Sequence, residues 1–287
     1  MNLSSGTARQ VFNSIHTLPP VPRIAQEILS LKINTIEGER ALLQVIEKDP
    51  PILSKIIGLS NSPLLGTSRT ILSLHDAVAL LGVKRIKMIA LSCAMMSSLS
   101  RKPAGLLNID GLWKHSLAVA LTMDTLAGYM ADQFRPADDG IYLAGLLHDI
   151  GFMLLDYVDP VLSDRFHARL AENPQRLVEE VEAEMLKMNH CELGTELATY
   201  WGLPESVISV IQFHHASRTE PAYLDNKLVA MANLAEKLLP TFGIAEAVTI
   251  RIEVEEWQRL GIDPLIADEI RTRIGGHASE VEAICSR

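Results

Sequence analysis

Cysteine is scarce. Three residues, Cys93, Cys191 and Cys285, are spread over 287 positions, too few for a disulfide scaffold and without the spacing of a structural zinc motif. A reducing, cytoplasmic setting is expected. Aromatic residues are only 5% of the chain, so aliphatic side chains and Met must fill any core. Positive charge is also short, with 26 Lys and Arg against 35 Asp and Glu and a net charge of -9. That disfavours nucleic acid as a partner, because phosphate binding needs clustered cations. No apolar run is expected to reach the length of a membrane span, and "MNLSSGTARQVFNSIHTLPP" holds no apolar stretch of signal-peptide length, so neither membrane insertion nor export is expected. Alternation with period two is missing as well, which leaves β-sheet without a signal.

Apolar side chains at helical spacing are abundant. Hydrophobic residues make up 48% of the chain and the mean hydropathy is +0.17. Their recurrence at three and four predicts an all-α fold. Helices are expected at 9–15, 22–31, 37–48, 51–60, 74–81 and 83–99. After "RKPAGLLNIDG" they are expected at 112–132, 138–150, 159–172, 175–188, 190–201, 204–214 and 224–239, with two or three short ones over 252–287. The organisation follows: an N-terminal segment 1–17, a helical subdomain 18–100, a linker 101–111, a histidine-bearing bundle 112–239, and a C-terminal helical extension 240–287. Pro22, Pro50 and Pro51 suit first helical turns. Gly151 is expected to end the helix over 138–150.

Histidine carries the chemistry. In "LAGLLHDIGFMLL", residues 143–155, His148 and Asp149 interrupt an otherwise apolar run. His115 lies in "LWKHSLAVAL", His190 opens "HCELGTELATYWGLP", and His214 and His215 close "PESVISVIQFHH". These residues fall on separate helices of one bundle, where facing side chains can build a metal site. Neutral imidazoles bind first-row metals, and a carboxylate can bridge two ions. His16, His75, His167 and His277 fall outside this pattern and are read as surface or packing residues. Trp113 and Trp201 are read as packing anchors. Lys84, Arg85 and Lys87 in "VKRIKM" are read as a solvated basic face able to steer an acidic partner.

The order His, His-Asp, His, His-His resembles the HD superfamily of metal-dependent phosphohydrolases. "LPPVPRIAQEILSL", "IEKDPPILSKIIGLSNSP", "LSLHDAVALLGVKRIKMIAL", "LAGLLHDIG", "HCELGTELATYWGLPESVISVIQFHH" and "VAMANLAEKL" together resemble the HDOD (HD-related output domain) family over about 18–239. The resemblance implies an HD-like helical bundle at 112–239. It also implies metal ligands at His115, His148, Asp149, His190, His214 and His215, with Asn233 where the superfamily has a late Asp. Phe152 stands where cyclic-dinucleotide-cleaving HD-GYP relatives have Lys, and their Gly-Tyr-Pro motif is absent. A neutral Asn and a missing Lys weaken both ion binding and phosphate binding. The resemblance therefore implies a regulatory output or scaffold module that binds signalling proteins. It would carry one or two divalent ions (Fe, Mn, Zn or Ni) in a degenerate site, with no catalytic residue assigned. The alternative is a metal-dependent phosphohydrolase whose ligand is a nucleotide or cyclic dinucleotide.

Overall fold

Helix starts are written in the local sequence. Thr35, Asp49, Ser73, Asn108, Asp159, Asn189 and Asn226 each occupy an N-cap and accept a hydrogen bond from a first-turn backbone N–H. This satisfies donors that a helix leaves open at its start. Pro50 and Pro160 sit in first turns, where the missing N–H removes no bond. The computed structural model describes residues 18–61, 70–100, 105–136, 140–186, 188–240 and 251–284, with side chains to residue 275. Among the described residues the regular structure is entirely helical. The helix expected at 9–15 lies outside them.

The N-terminal part comprises α1 (Arg23–Ser30), α2 (Ile36–Glu47), α3 (Pro50–Ser60), α4 (Leu74–Leu81) and α5 (Val83–Leu99). The bundle that follows comprises α6 (Ile109–Tyr129), α7 (Ile141–Leu147), α8 (Ile150–Val158), α9 (Pro160–Glu172), α10 (Val178–Met185), α11 (His190–Tyr200), α12 (Glu205–Phe213), α13 (Pro221–Asp225) and α14 (Lys227–Leu238). Then come α15 (Val254–Arg259), a 3-10 turn Pro264–Ile266, and α16 (Ala267–Ile284). α5 touches α1, α3 and α4 on one side and α7 and α8 on the other. It is correspondingly buried around its circumference, through Ile86, Ile89, Leu91, Cys93, Met95 and Met96. One continuous apolar cluster runs from Leu18 to Ile274. The Trp201 indole N–H donates to the Pro19 carbonyl at 2.9 Å, tying the "LPP" entry segment to the end of α11.

Four expectations need correction. Gly151 does not stop a helix: α8 begins at Ile150 and runs through Gly151 to Val158. A Cβ at Gly151 would overlap the His190 carbonyl and crowd Gly194, so the glycine serves the close approach of α8 and α11. Second, residues 109–111 already belong to α6 and not to a linker. Third, Ile141–Val158 is long and apolar enough to cross a membrane, with mean hydropathy 1.4. Yet 83% of it is buried inside the fold, as expected for paired core helices. Fourth, the basic cluster is partly committed. Arg85 Nη2 lies 2.7 Å from Asp124 Oδ2 on α6, and Lys87 donates to the Leu31 carbonyl at 2.8 Å. These two cations link α5 to its neighbours, so the cluster is not a purely solvated face.

Candidate metal centre

His148 and Asp149 form the break between α7 and α8. Asp149 occupies the N-cap of α8 but caps nothing, although an Asp there normally accepts from the first turn. Its carboxylate is turned instead into the bundle, and neither oxygen makes an aligned hydrogen bond. Such a group, 1% exposed, needs a positive neighbour to be tolerated.

The histidines are oriented from behind. His148 Nδ1 donates to the Gly145 carbonyl at 2.9 Å. Gly145 is required for its own reason, since a Cβ would collide with the Ala120 backbone on α6. His214 Nδ1 shares its proton between the Val210 and Ile211 carbonyls, each at 3.1 Å. His190 Nδ1 donates to Glu182 Oε1 at 2.9 Å, and the His190 backbone N–H donates to the same oxygen at 2.8 Å. The Asn189–Glu192 capping box sets His190 at the first position of α11. Carbonyl and carboxylate oxygens only accept, so these three rings carry hydrogen on Nδ1 and turn Nε2 inward. Fixing the ligand ring through its outer nitrogen is how metal-binding histidines are held.

The inward atoms fall into two groups. In the first, His115 Nε2 lies 3.2 Å from His148 Nε2 and 3.1 Å from Glu236 Oε1. His148 Nε2 lies 2.8 Å from that same oxygen, and Asp149 Oδ2 is 3.2 Å from His148 and 3.6 Å from His115. In the second, His190 Nε2 and His214 Nε2 are 3.3 Å apart. Asp149 Oδ1 lies 3.4 Å from His214 and 3.7 Å from His190. Cys191 Sγ lies 3.4 Å from His190 Nε2 and 3.9 Å from both ring nitrogens of His214. Asp149 thus faces one group with each oxygen.

These residues fit a metal ion. Neutral His190 and His214 would aim two lone pairs at each other, which is repulsive unless a cation lies between them. Tetrahedral ligands about 2.0–2.1 Å from an ion stand about 3.3 Å from one another, the spacing found here. The electrostatics agree. Burial pulls His148 down, but the charges of Asp149 and Glu236 outweigh it and hold it well above its ordinary value. Burial likewise opposes the shift at His214, which Cys191 and Asp149 raise to about 10. Asp149 and Glu236 would be raised by burial, but the neighbouring imidazoles hold both carboxyls well below the usual range. Without an ion, protons must supply the balancing charge. A divalent ion supplies it without them.

The sequence-derived residues are placed as follows. His115, His148, Asp149, His190 and His214 converge. His215 stands at the margin: its ring centroid is 4.2 Å from that of His214, its Nδ1 is 3.4 Å from Glu179 Oε1, and its side chain is 22% exposed. Asn233 is beside the site with its amide turned to backbone, donating to the His214 carbonyl at 2.9 Å and the Ala216 carbonyl at 3.3 Å. The acid expected to be missing is present one turn later, as Glu236. Sequence reasoning missed Glu236, Glu182 and Cys191. "LVAMANLAEKL" gave a signal for the first: an acid at the apolar period of a buried helix. Phe152 stacks on His190 with centroids 4.2 Å apart and rings 16° from parallel. It covers one face of the His190 ring.

The fold is shared with proteins of known structure. A crystal structure of an HDOD domain protein of unknown function from Geobacter sulfurreducens superposes with a TM-score of 0.77 at 26% identity, covering 96% of both chains. A protein from Marinobacter aquaeolei VT8, provisionally named a signal transduction protein, gives 0.74 at 23% identity, over 100% of this chain and 67% of that one. A protein from Shewanella amazonensis SB2B, provisionally named a phosphohydrolase, gives 0.68 at 20% identity, over 97% and 99%. An uncharacterized protein of Treponema pallidum (strain Nichols) is 25% identical over 236 residues, 81% of this chain. The chain spans 44% of that relative's length. The HDOD domain profile matches residues 18–217, and the chain belongs to the HDOD domain family.

Proposed function

We propose that this HDOD protein is a cytoplasmic signal-transduction module, in which a buried metal centre fixes the form of a surface read by protein partners. One observation carries the reading: the ligand set is enclosed. His148 and His214 are fully buried, and Asp149 and His190 are 1% exposed, while Phe152 covers His190. Hydrolysis at a metal needs a coordination position open to water and groups that accept the charge developing on phosphate. Among the described residues, the burial of His148, Asp149, His190 and His214 leaves these ligands closed to solvent. A bound ion would supply positive charge against Asp149 and Glu236. It would cross-link α6, the α7–α8 turn, α11, the C-terminal end of α12 and α14. The name of the Marinobacter relative agrees with this reading, although at 23% identity the likeness speaks for the fold alone.

The competing reading is a phosphohydrolase acting on a nucleotide or cyclic dinucleotide. It is favoured by the two-sided placement of Asp149, since paired ions can clamp both oxygens of a phosphoryl transfer. Incubation of metal-loaded protein with cyclic dinucleotides and a chromogenic phosphodiester separates the two. The expected result is no turnover above buffer. Steady turnover abolished by His148→Ala with Asp149→Ala would replace the first reading with the second.

A further inference from the structure

We propose that Cys191 binds metal as a thiolate, so that the centre holds two chemically unlike positions and the second is selective for zinc. This rests on the metal-centre reading above and specifies it. The two ligand groups differ in one respect. Around the first are two imidazole nitrogens and two carboxylate oxygens, from His115, His148, Asp149 and Glu236. Around the second are two imidazole nitrogens, one carboxylate oxygen and one sulfur, from His190, His214, Asp149 and Cys191.

The distances support a four-ligand polyhedron at the second position. A tetrahedral ion with sulfur at about 2.3 Å and nitrogen at about 2.0–2.1 Å places S and N about 3.6 Å apart and N and N about 3.3 Å apart. The observed S···N separations are 3.4 and 3.9 Å, and the N···N separation is 3.3 Å. The two O···N separations, 3.4 and 3.7 Å, lie in the same range. Five of the six edges of the figure, all but the one between Cys191 and Asp149, therefore lie near these lengths, and they involve side chains from the α7–α8 turn, α11 and the end of α12. Cys191 follows His190 directly, and the capping box at Asn189 fixes both on the first turn of α11. Cys191 is 5% exposed, out of reach of solution oxidants.

Thiolate ligands select soft and borderline ions. The first position, with two carboxylates and no sulfur, suits harder divalent ions such as Mn or Fe. The second suits Zn, with His215 at its margin as a donor whose ligand atom lies within 4.8 Å of those of His190, Cys191 and His214. Binding deprotonates the thiol and releases that proton to solvent; no electron is transferred.

Cobalt is a direct probe, because thiolate–Co(II) bonds absorb in the near ultraviolet whereas imidazole and carboxylate ligands give only the weaker visible bands. The full chain is stripped, loaded with Co(II), and compared with Cys191→Ser and Cys93→Ser. The expected result is a near-ultraviolet band in wild type and Cys93→Ser that is lost in Cys191→Ser, with visible bands retained in all three. Visible bands without the near-ultraviolet band in wild type would overturn the thiolate proposal while leaving the metal centre standing. No cobalt bands at all would overturn the centre itself. Should Cys191→Ser fail to fold, zinc-edge X-ray absorption on the wild-type protein decides. A sulfur neighbour at about 2.3 Å is expected, and a shell of nitrogen and oxygen alone would contradict it.

Discussion

Glu236 and Asn233 lie one turn apart on α14 and do opposite things. Glu236 places a carboxylate oxygen 2.8 Å from His148 and 3.1 Å from His115. Asn233 donates both of its polar contacts to backbone carbonyls. Glu236→Gln is therefore expected to weaken metal binding at least about tenfold, read by competition with a chelating dye. Asn233→Asp is not expected to strengthen it. An anion facing two carbonyls loses the donor and adds repulsion, with a stability cost of about 1–3 kcal/mol. Tighter metal binding in Asn233→Asp would reverse this assignment. His167 offers a test of a different kind. Its Nε2 is enclosed without a hydrogen-bond partner, and burial pushes the ring down to about 4, against the pull of Asp156 and Asp164. The folded value lies below the unfolded value of about 6.5, so the unfolded chain takes up the proton first as pH falls. The stability held above pH 6.5 is then lost down to about pH 4, by up to about 3 kcal/mol. The unfolding free energy of wild type should fall relative to that of His167→Leu over that interval. Parallel profiles would show that the ring does not titrate as described.

The helices themselves were legible wherever apolar spacing and a capping residue agreed. α4 and α5 fall where periodicity places them, with Ser73 capping α4 and Gly82, at φ 82°, separating the two. At α8 the general rule that glycine ends helices does not apply: the lack of a side chain at Gly151 matters and not its backbone freedom. Only the tertiary neighbour, the His190 carbonyl on α11, reveals that use. Gly151→Ala should force α8 and α11 apart, costing about 1–3 kcal/mol and displacing His190 from Asp149. Denaturant unfolding together with metal titration checks both effects. A variant with unchanged stability and affinity would mean that the helices can part without disturbing the centre. The histidines were legible because the family order marks them. Glu182 and Cys191 were not. An acid on an amphipathic helix is ordinarily solvated, and one cysteine without a spaced partner carries no signal until α10, α11 and α12 are brought together.

Across the whole molecule, α5 joins the N-terminal helices to the bundle while the ligand-bearing helices join one another at Asp149. α16 packs on α6, the helix of His115, and buries Ile270 and Ile274 there. The fold thus surrounds the centre on all the elements that feed it, and an ion bound only by the folded state must add to stability by mass action. The most direct measurement is metal content by elemental analysis, on protein purified without chelator and dialysed extensively, paired with thermal unfolding before and after chelation. The expected result is one or two tightly held first-row ions per chain, a fall in melting temperature on their removal, and loss of both metal and shift in Asp149→Ala. Wild-type protein that holds no stoichiometric metal, and melts at the same temperature with and without chelator, would contradict the account.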